Sequence, residues 1–550
     1  MRVHWVAHRP CSAKLDWRRE MSHVTLVTEG WAASGATQAR GYAHLEDRFL
    51  QAGALAAAID ACPTDAEWQR TVCRLNGCFA VVTRRDGNVL AAVDRVRTIP
   101  LFYAVRGGTL LLGDNAADVL QALGAREIDP VADAEFCLTG YVTGRETLYR
   151  NVHQLVAGEL LRFDPAEPDK LERRQYYAFR HGDFFAENLP ELISRLERVH
   201  AGVFRRLVDS CDGRTIAIPL SGGYDSRLIG ISLRDMGVRD VVCYSYGVPG
   251  NWESRISHEL ARYLGFRWEF VPYSAERWRA WAATDRFAKY FREAGNLTSV
   301  PHVQDWPAVL ELQSDKRLPP DSVIVPGHSG DFLAGSHIPK SYGTHPTMSR
   351  REVLDSLLTA HYSLWDWPRA GGPELRERFD QRIESIVGPI TDCSPEEAAD
   401  VFERWDLQER QAKFICNSVR VYESFGLEWR LPLFDGELMD FWARVPVALR
   451  SGRRLYFEFT DTRQRLPITE ANKDHGALTV WLIECVEAAG LRPAAKRVQR
   501  IVRKFRWRQQ YSTSPLAWLV LVDRDVFRRT YTGKELFHSY LTLRYRNLLR

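Results

Sequence analysis

Within six residues the stretch Ser221-Gly222-Gly223-Tyr224-Asp225-Ser226 places two hydroxyls, two adjacent glycines and a carboxylate. Adjacent glycines let a backbone approach an anion closely, because no Cβ stands between the peptide N–H groups and the ligand. The hydroxyls of Ser221 and Ser226 add two further hydrogen bonds. The segment follows the apolar run 215–220, which reads as a buried strand, and opens a helical pattern from Asp225 to Met236. A loop between strand and helix lies at the carboxyl edge of a parallel sheet, where open α/β folds bind ligands and where the helix start offers donors and a positive dipole end. The chemistry expected is phosphate binding, and the competing account is a tight turn capped by Asp225. It is not the Walker A arrangement, which needs a lysine directly before its final Ser or Thr.

The elements that must hold this loop follow from periodicity. After the loop helix, Val241 to Tyr246 reads as a second strand, Glu253 to Leu264 as a helix and Trp268 to Val271 as a third strand, the alternation of a parallel sheet with right-handed crossovers. Upstream, Leu189, Leu192, Ile193, Leu196, Val199, Val203, Phe204 and Leu207 form one helical stripe between Glu187 and Cys211, which places a domain boundary near 180–190. Before that boundary the pattern is short alternating strands: Val24 to Val27, Phe79 to Val82, Val89 to Val93, Leu101 to Ala104 and Leu110 to Leu112. Asp86-Gly87 predicts a hairpin over 79–93. Helical patterns dominate from Arg350 onward.

Bulk properties bound the remaining choices. A chain of 550 residues calls for two or three domains, and 45% apolar with 26% charged residues is ordinary globular usage. A formal charge of +4 gives no field that would draw nucleic acid. Charge gathers locally at 496–508, where Lys496, Arg497, Arg500, Arg503, Lys504, Arg506 and Arg508 alternate with apolar residues. That basic amphipathic helix is either a solvated face or a contact for an anionic partner or membrane surface. Ten scattered cysteines without a CxxC pair suit small core residues in a reducing compartment. No apolar run is long enough to span a bilayer and no signal-peptide core is visible, so a cytoplasmic protein is expected.

The six-residue loop matches SGGxDS, the PP-loop of the ATP pyrophosphatases. A second block, Gly327-His328-Ser329-Gly330-Asp331-Phe332-Leu333-Ala334-Gly335, follows the apolar strand Ser322 to Pro326 and resembles the SGEGxDExxGG loop of asparagine synthetases, with Gly327, Asp331 and Gly335 on the family's positions. A third, Glu428-Trp429-Arg430-Leu431-Pro432-Leu433-Phe434-Asp435, resembles ExRxPFLD. The resemblance implies ATP held by Leu220, Ser221, Gly222, Gly223, Asp225, Ser226, Tyr244 and Gly327, with Mg²⁺ held by Asp225 and Asp331. A substrate carboxylate would be adenylated, releasing pyrophosphate, and an amine or ammonia would displace AMP. His328 stands where asparagine synthetases carry glutamate and β-lactam synthetases carry tyrosine. It is either a base for the attacking amine, with Glu423 or Glu428 as its carboxylate neighbour, or a hydrogen-bonding residue only. Lys473 follows Leu466-Pro467 and is either the family's charge-stabilising lysine or a surface lysine. Arg227 stands within reach of a phosphate oxygen.

The N-terminal third carries Leu75-Asn76-Gly77-Cys78-Phe79-Ala80 and Asp94-Arg95-Val96-Arg97-Thr98-Ile99-Pro100-Leu101-Phe102-Tyr103, which resemble the glutaminase half of the same family. The fold implied is an αββα N-terminal-nucleophile sandwich over 1–180, then an α/β PP-loop synthetase domain over 187–475 and a basic helical extension over 476–550. The family's nucleophile is a cysteine at position two. This sequence has Arg2, with Cys11 the nearest thiol, so a silent glutaminase domain is expected, as in β-lactam synthetases and lasso-peptide cyclases. A working glutamine-dependent enzyme and a non-catalytic scaffold are the alternatives. The blocks PGHSGDFLAG and YESFGLEWRLPLFD also resemble asparagine-synthetase-like proteins of bacterial surface polysaccharide synthesis, which implies a uronic-acid carboxylate as substrate. A homodimer is compatible with these features.

Overall fold

The computed structural model describes residues 24–27, 31–342, 346–366, 373–463, 514–531 and 537–549. In the N-terminal sandwich a pair of sheets lies face to face between helices. The hairpin of Asn76–Arg85 and Asn88–Val93 forms at the expected turn, where Asp86 (φ 49°) and Gly87 (φ 82°) both take the positive φ that a two-residue hairpin requires. Its side chains alternate between two cores. Phe79, Val81, Leu90 and Ala92 meet Leu55, Ile59, Trp68 and Val72 from the helices Gly53–Asp60 and Asp65–Arg74. Cys78, Ala80, Val82, Ala91 and Val93 turn the other way, toward Tyr103, Leu110 and Leu112 of the second sheet. Helix Ala116–Leu123 flanks that second sheet, so the layers run helix, sheet, sheet, helix, as the resemblance implies. Strand Thr37–Leu45, which pairs with Asn76–Arg85 in the first sheet, escapes the sequence reading because Gly41 and polar residues interrupt its alternation.

The join to the second unit is a 23-residue helix, Leu189–Cys211, opened by a capping box in which Asn188 and Glu191 satisfy each other's backbone N–H groups. Behind it stands a five-stranded parallel sheet in the order Arg267–Pro272, Val241–Gly247, Ile216–Pro219, Val323–Ile324, Glu428–Trp429. Strand Ile216–Pro219 is central, and the chain leaves it first to one side and later to the other. This is the switch point at which a crevice opens beyond the strand ends. The strand expected over 322–326 is shorter, with Val323 and Ile324 paired and Val325 N–H still donating to Ala217 O (2.8 Å).

Of the expected C-terminal extension, residues 514–531 and 537–549 are woven into the fold. Helix Phe537–Leu549 packs on Pro130–Thr139 of the sandwich and on Asp285–Glu293 of the second unit. Tyr545 is wholly buried there and its hydroxyl accepts Leu297 N–H (3.2 Å), while Trp365 Nε1 donates to Ser539 O (3.1 Å). The basic run 496–508 lies outside the described residues. Six of the eight described cysteines are buried and all eight are free. No described helix is long and apolar enough to cross a membrane.

Two outcomes follow for stability. Tyr545→Ala empties a ring-sized site between the two units and is expected to cost about 3–5 kcal/mol, read as a lowered urea midpoint. Burial lowers the His538 imidazole from 6.5 to about 4. The unfolded chain therefore binds a proton near 6.5 that the folded chain refuses until about 4, so this residue's contribution to stability is lost as pH falls through that interval. The stability gap between wild type and His538→Phe should narrow between pH 6.5 and 4, measured by denaturation at each pH.

Candidate active site

Leu220 ends the central strand, its N–H donating to Tyr244 O (2.9 Å), and the chain then turns through Ser221-Gly222-Gly223 into helix Tyr224–Asp235. Gly223 caps this helix without a side-chain acceptor, so the first-turn N–H groups are left for another ligand. The loop is braced from inside. Ser226 Oγ accepts Ser221 N–H and lies 3.2 Å from Ser221 Oγ, and Ser221 Oγ in turn accepts Gly223 N–H. A Cβ on Gly222 would stand 2.8 Å from the Trp252 ring, so a larger residue there would push that ring aside. Arg227 turns back onto the loop, donating to Gly222 O (3.2 Å) and lying over the Tyr224 ring.

The second loop closes directly onto the first. A Cβ on Gly327 would stand 2.8 Å from Ser226 N, and one on Gly330 would stand 3.0 Å from Asp225 Oδ1. That absence of side chains lets Asp331 N–H donate to Asp225 Oδ2 at 3.1 Å. Tyr456 OH donates to Asp225 Oδ1 (2.5 Å), and Asp331 is held by Phe332 N–H (2.8 Å) and Ser336 Oγ (3.1 Å). Burial, and then the neighbouring charge of Asp331, push the Asp225 carboxyl up to about 7. Two carboxylates drawn together at the cost of mutual repulsion form an oxygen donor pair for a hard cation, which relieves that repulsion. Among the described residues no cluster of three or more metal-ligating side chains exists. A cation here would take its remaining ligands from phosphate and water, the arrangement Mg²⁺ favours.

His328 joins this cluster, but not through the carboxylates expected of it. Its Nε2 lies 2.6 Å from Ser418 Oγ, and burial lowers its pKa to about 4, so the ring is neutral. Glu423 instead binds Arg40 (3.1 Å) and Arg420 (2.8 Å). Glu428 requires a correction. It opens the edge strand beside Val323, at the amino end of the sheet, where Arg214 (3.0 Å), Arg430 (3.0 Å) and Gln51 (2.9 Å) hold it. The strand ends that carry the loops lie at the opposite edge, so Glu428 is an interface residue and not a catalytic one. Tyr244 is corrected likewise: its ring is wholly buried, and it touches the loop through its carbonyl alone. Lys473 lies outside the described residues. Tyr456 and Ser418, both absent from the motifs, come from helical stretches that no local signal connects to the loops.

The ExRxPFLD-like block proves to be a joint between the two units. Asp435 accepts Asn76 Nδ2 (3.0 Å) and a two-pronged contact from Arg206 (2.9 and 2.8 Å), while Gly436 N–H donates to Asn76 Oδ1 (2.7 Å). Arg430 stacks over Tyr42 at 4.3 Å.

Comparison with known proteins agrees with this division. Residues 65–177 match the family model described as glutamine amidotransferase domain, and residues 203–456 match the model described as asparagine synthase. Similar solved structures include the allosteric regulatory enzyme of purine biosynthesis, at 13% identity over 44% of this chain and 62% of that one, with a TM-score of 0.19. Another is glutamine phosphoribosylpyrophosphate amidotransferase from B. subtilis complexed with ADP and GMP, at 12% identity over 54% and 63%, with a TM-score of 0.19. The chain thus spans a little over three fifths of the length of each. No curated protein matches it. An amidotransferase match followed by a synthase match, with the loop pair lying inside the latter, supports an asparagine synthetase-like family for this chain.

Proposed function

We propose that the protein is an AMP-forming ligase that joins a substrate carboxylate to an amine or to ammonia, with the loop pair Ser221–Ser226 and Gly327–Asp331 as its ATP site. The observation that carries this reading is the Asp225–Asp331 contact beside an uncapped helix start. Phosphate oxygens would lie on the first-turn N–H groups and the hydroxyls of Ser221 and Ser226. Asp225 and Asp331 would hold Mg²⁺, which when bound offsets the charge of departing pyrophosphate. A carboxylate oxygen attacks the α-phosphorus, the bond to the β-phosphate oxygen breaks, and pyrophosphate leaves. The amine then attacks the acyl carbon, AMP departs with the bonding pair, and the amine loses a proton. Neutral His328, held by Ser418, is the group we assign to accept that proton.

The nitrogen donor in this reading is ammonia or an amine on the substrate. In the sandwich, burial pushes the Cys78 thiol up to about 12 and raises that of Cys73, so neither is poised as a thiolate nucleophile. Asn76, from the glutaminase-like block, spends its amide on Asp435 and Gly436. The substrate we favour is a sugar-linked uronate, on the strength of the polysaccharide-type blocks alone.

Pyrophosphate exchange into ATP is the direct measurement. Exchange should depend on an added acid, with a nucleotide-linked uronate active and aspartate inactive, and should fall to background in Asp225→Ala and Asp331→Ala. Retained exchange in both variants would end the ligase reading. Gly327→Ala should lower exchange about 10²-fold, because the added Cβ drives the second loop away from Ser226 and misplaces the reacting groups. Glutamate release from glutamine should be absent, while ammonium or an amine supports AMP formation; glutamine-dependent turnover would restore the amidotransferase alternative.

A further inference from the structure

Helix Pro395–Asp406 widens into a π-helical stretch, Leu407–Ile415, that runs beside the second loop. One side of it is spent on that loop and its surroundings. Asp406 binds His337 Nδ1 (2.5 Å), Gln411 Oε1 accepts Ser329 Oγ (2.8 Å), and the Phe414 ring packs on His302 at 4.3 Å. Between these positions stands Arg410, half-buried, with no hydrogen bond or ion pair to any described residue. Asp406 lies within its electrostatic reach but does not serve it. That carboxylate already accepts His337 and Gln411 Nε2 (3.1 Å) and makes no ion pair with Arg410. A partly desolvated guanidinium without a counter-charge in contact among the described residues is costly, so its place suits an anionic group.

A second observation points the same way. Arg410 lies within electrostatic reach of Tyr141, His337 and His361. Two buried polar atoms of this group, Tyr141 OH and His361 Nε2, have no hydrogen-bond partner among the described residues, the nearest acid to the latter being Asp406 at 3.9 Å. Their rings share the Trp405 indole as a floor, at 6.4 Å for Tyr141 and 4.7 Å for His361. Buried polar atoms left open beside an arginine with no partner among the described residues are the elements of an anion site. The link to the loop pair is short, since Ser336, the residue before His337, holds the Asp331 carboxylate.

We propose that Arg410, Tyr141 and His361 form a subsite for a second anionic group on the substrate, a carboxylate or a phosphate beyond the carboxylate that reacts. This rests on the ligase reading for the identity of the reacting group, though not for the existence of the subsite. It selects dianionic acids over simple monocarboxylates, and Arg410 is its specificity-determining residue.

The test is calorimetric titration of the full chain with succinate and, separately, inorganic phosphate, with butyrate as the monoanionic control. Succinate, phosphate or both should bind wild type, and butyrate should bind at least tenfold more weakly. Binding of succinate assigns a carboxylate as the second group, and binding of phosphate assigns a phosphate. Arg410→Gln should weaken binding about ten- to hundredfold, the effect of losing a charge-assisted hydrogen bond. Arg410→Lys should recover some of it, because the charge returns without the two-pronged fork. Tyr141→Phe removes one hydroxyl that makes no described hydrogen bond, so the fold is spared, and affinity should fall severalfold. Equal affinity in wild type and Arg410→Gln, or no binding of either probe to wild type, overturns the subsite. Should Arg410→Gln fail to fold, Tyr141→Phe decides, with unchanged affinity overturning the proposal. Failed pyrophosphate exchange with intact dianion binding would remove the ligase reading and leave the subsite standing.

Discussion

The Asp331 N–H to Asp225 Oδ2 hydrogen bond ties together two loops that local sequence would leave independent. It requires that nothing separate the loops, and glycines at 327 and 330 meet that requirement, since a Cβ at 327 would collide with Ser226 and one at 330 would crowd Asp225. It also requires that two carboxylates tolerate each other under burial, which raises the Asp225 carboxyl to about 7. A structure built only for stability would place an apolar pair there, because burying like charges costs more than it returns. In the proposed ligase reading, a cation and the phosphates accompanying it would relieve that repulsion. Everything else near the site serves to hold this contact in register: Tyr456 on one oxygen of Asp225, Ser336 on Asp331, and Ser418 on His328.

Register at the loops depends in turn on how the sheet is clamped from its far edge. Glu428 opens the edge strand and Arg430 follows it, and both reach out of the synthase unit. Glu428 meets Gln51, and Arg430 stacks on Tyr42 while binding Ser210 of the long helix. Asp435, a few residues on, joins Asn76 of the sandwich to Arg206 of the same helix. Buried, two-pronged arginine contacts of this kind fix orientation more than they add stability. They set the angle at which the parallel sheet meets the sandwich, and thereby where its loop-bearing edge points.

The Ser221–Ser226 loop is legible in the sequence because its features are local: glycines, hydroxyls and the strand-to-helix switch all fall within a short stretch. The Asp86-Gly87 hairpin is legible for the same reason, the turn needing two positive φ values that this dipeptide supplies. Glu428 misleads because a carboxylate and an arginine two apart on a strand look the same whether they face a nucleotide or a neighbouring domain. Direction within the sheet decides that, and direction comes from pairing with Val323. Tyr244 misleads because it lies in the middle of its strand, where its ring turns into the core and its carbonyl meets Leu220 N–H. Ser418, Tyr456 and Arg410 are invisible in the sequence because they lie on helices far along the chain, where only tertiary packing connects them to the loops.

That packing also explains why a sandwich with no poised thiolate at Cys73 or Cys78 would persist. Its strand Asn76–Arg85 begins with the asparagine that holds Asp435, and its helix Pro130–Thr139 is half of the seat for Phe537–Leu549. Tyr141, just beyond that helix, places its ring against Trp405 and Phe414, on the wall that carries Arg410. The sandwich therefore reaches the synthase site from two sides, through the edge strand and through the wall that bears Arg410. Removing it would strip the contacts that hold Asp435 and Arg430 and take Tyr141 from the proposed subsite, so the sandwich sets the geometry of its neighbour whatever its own chemistry.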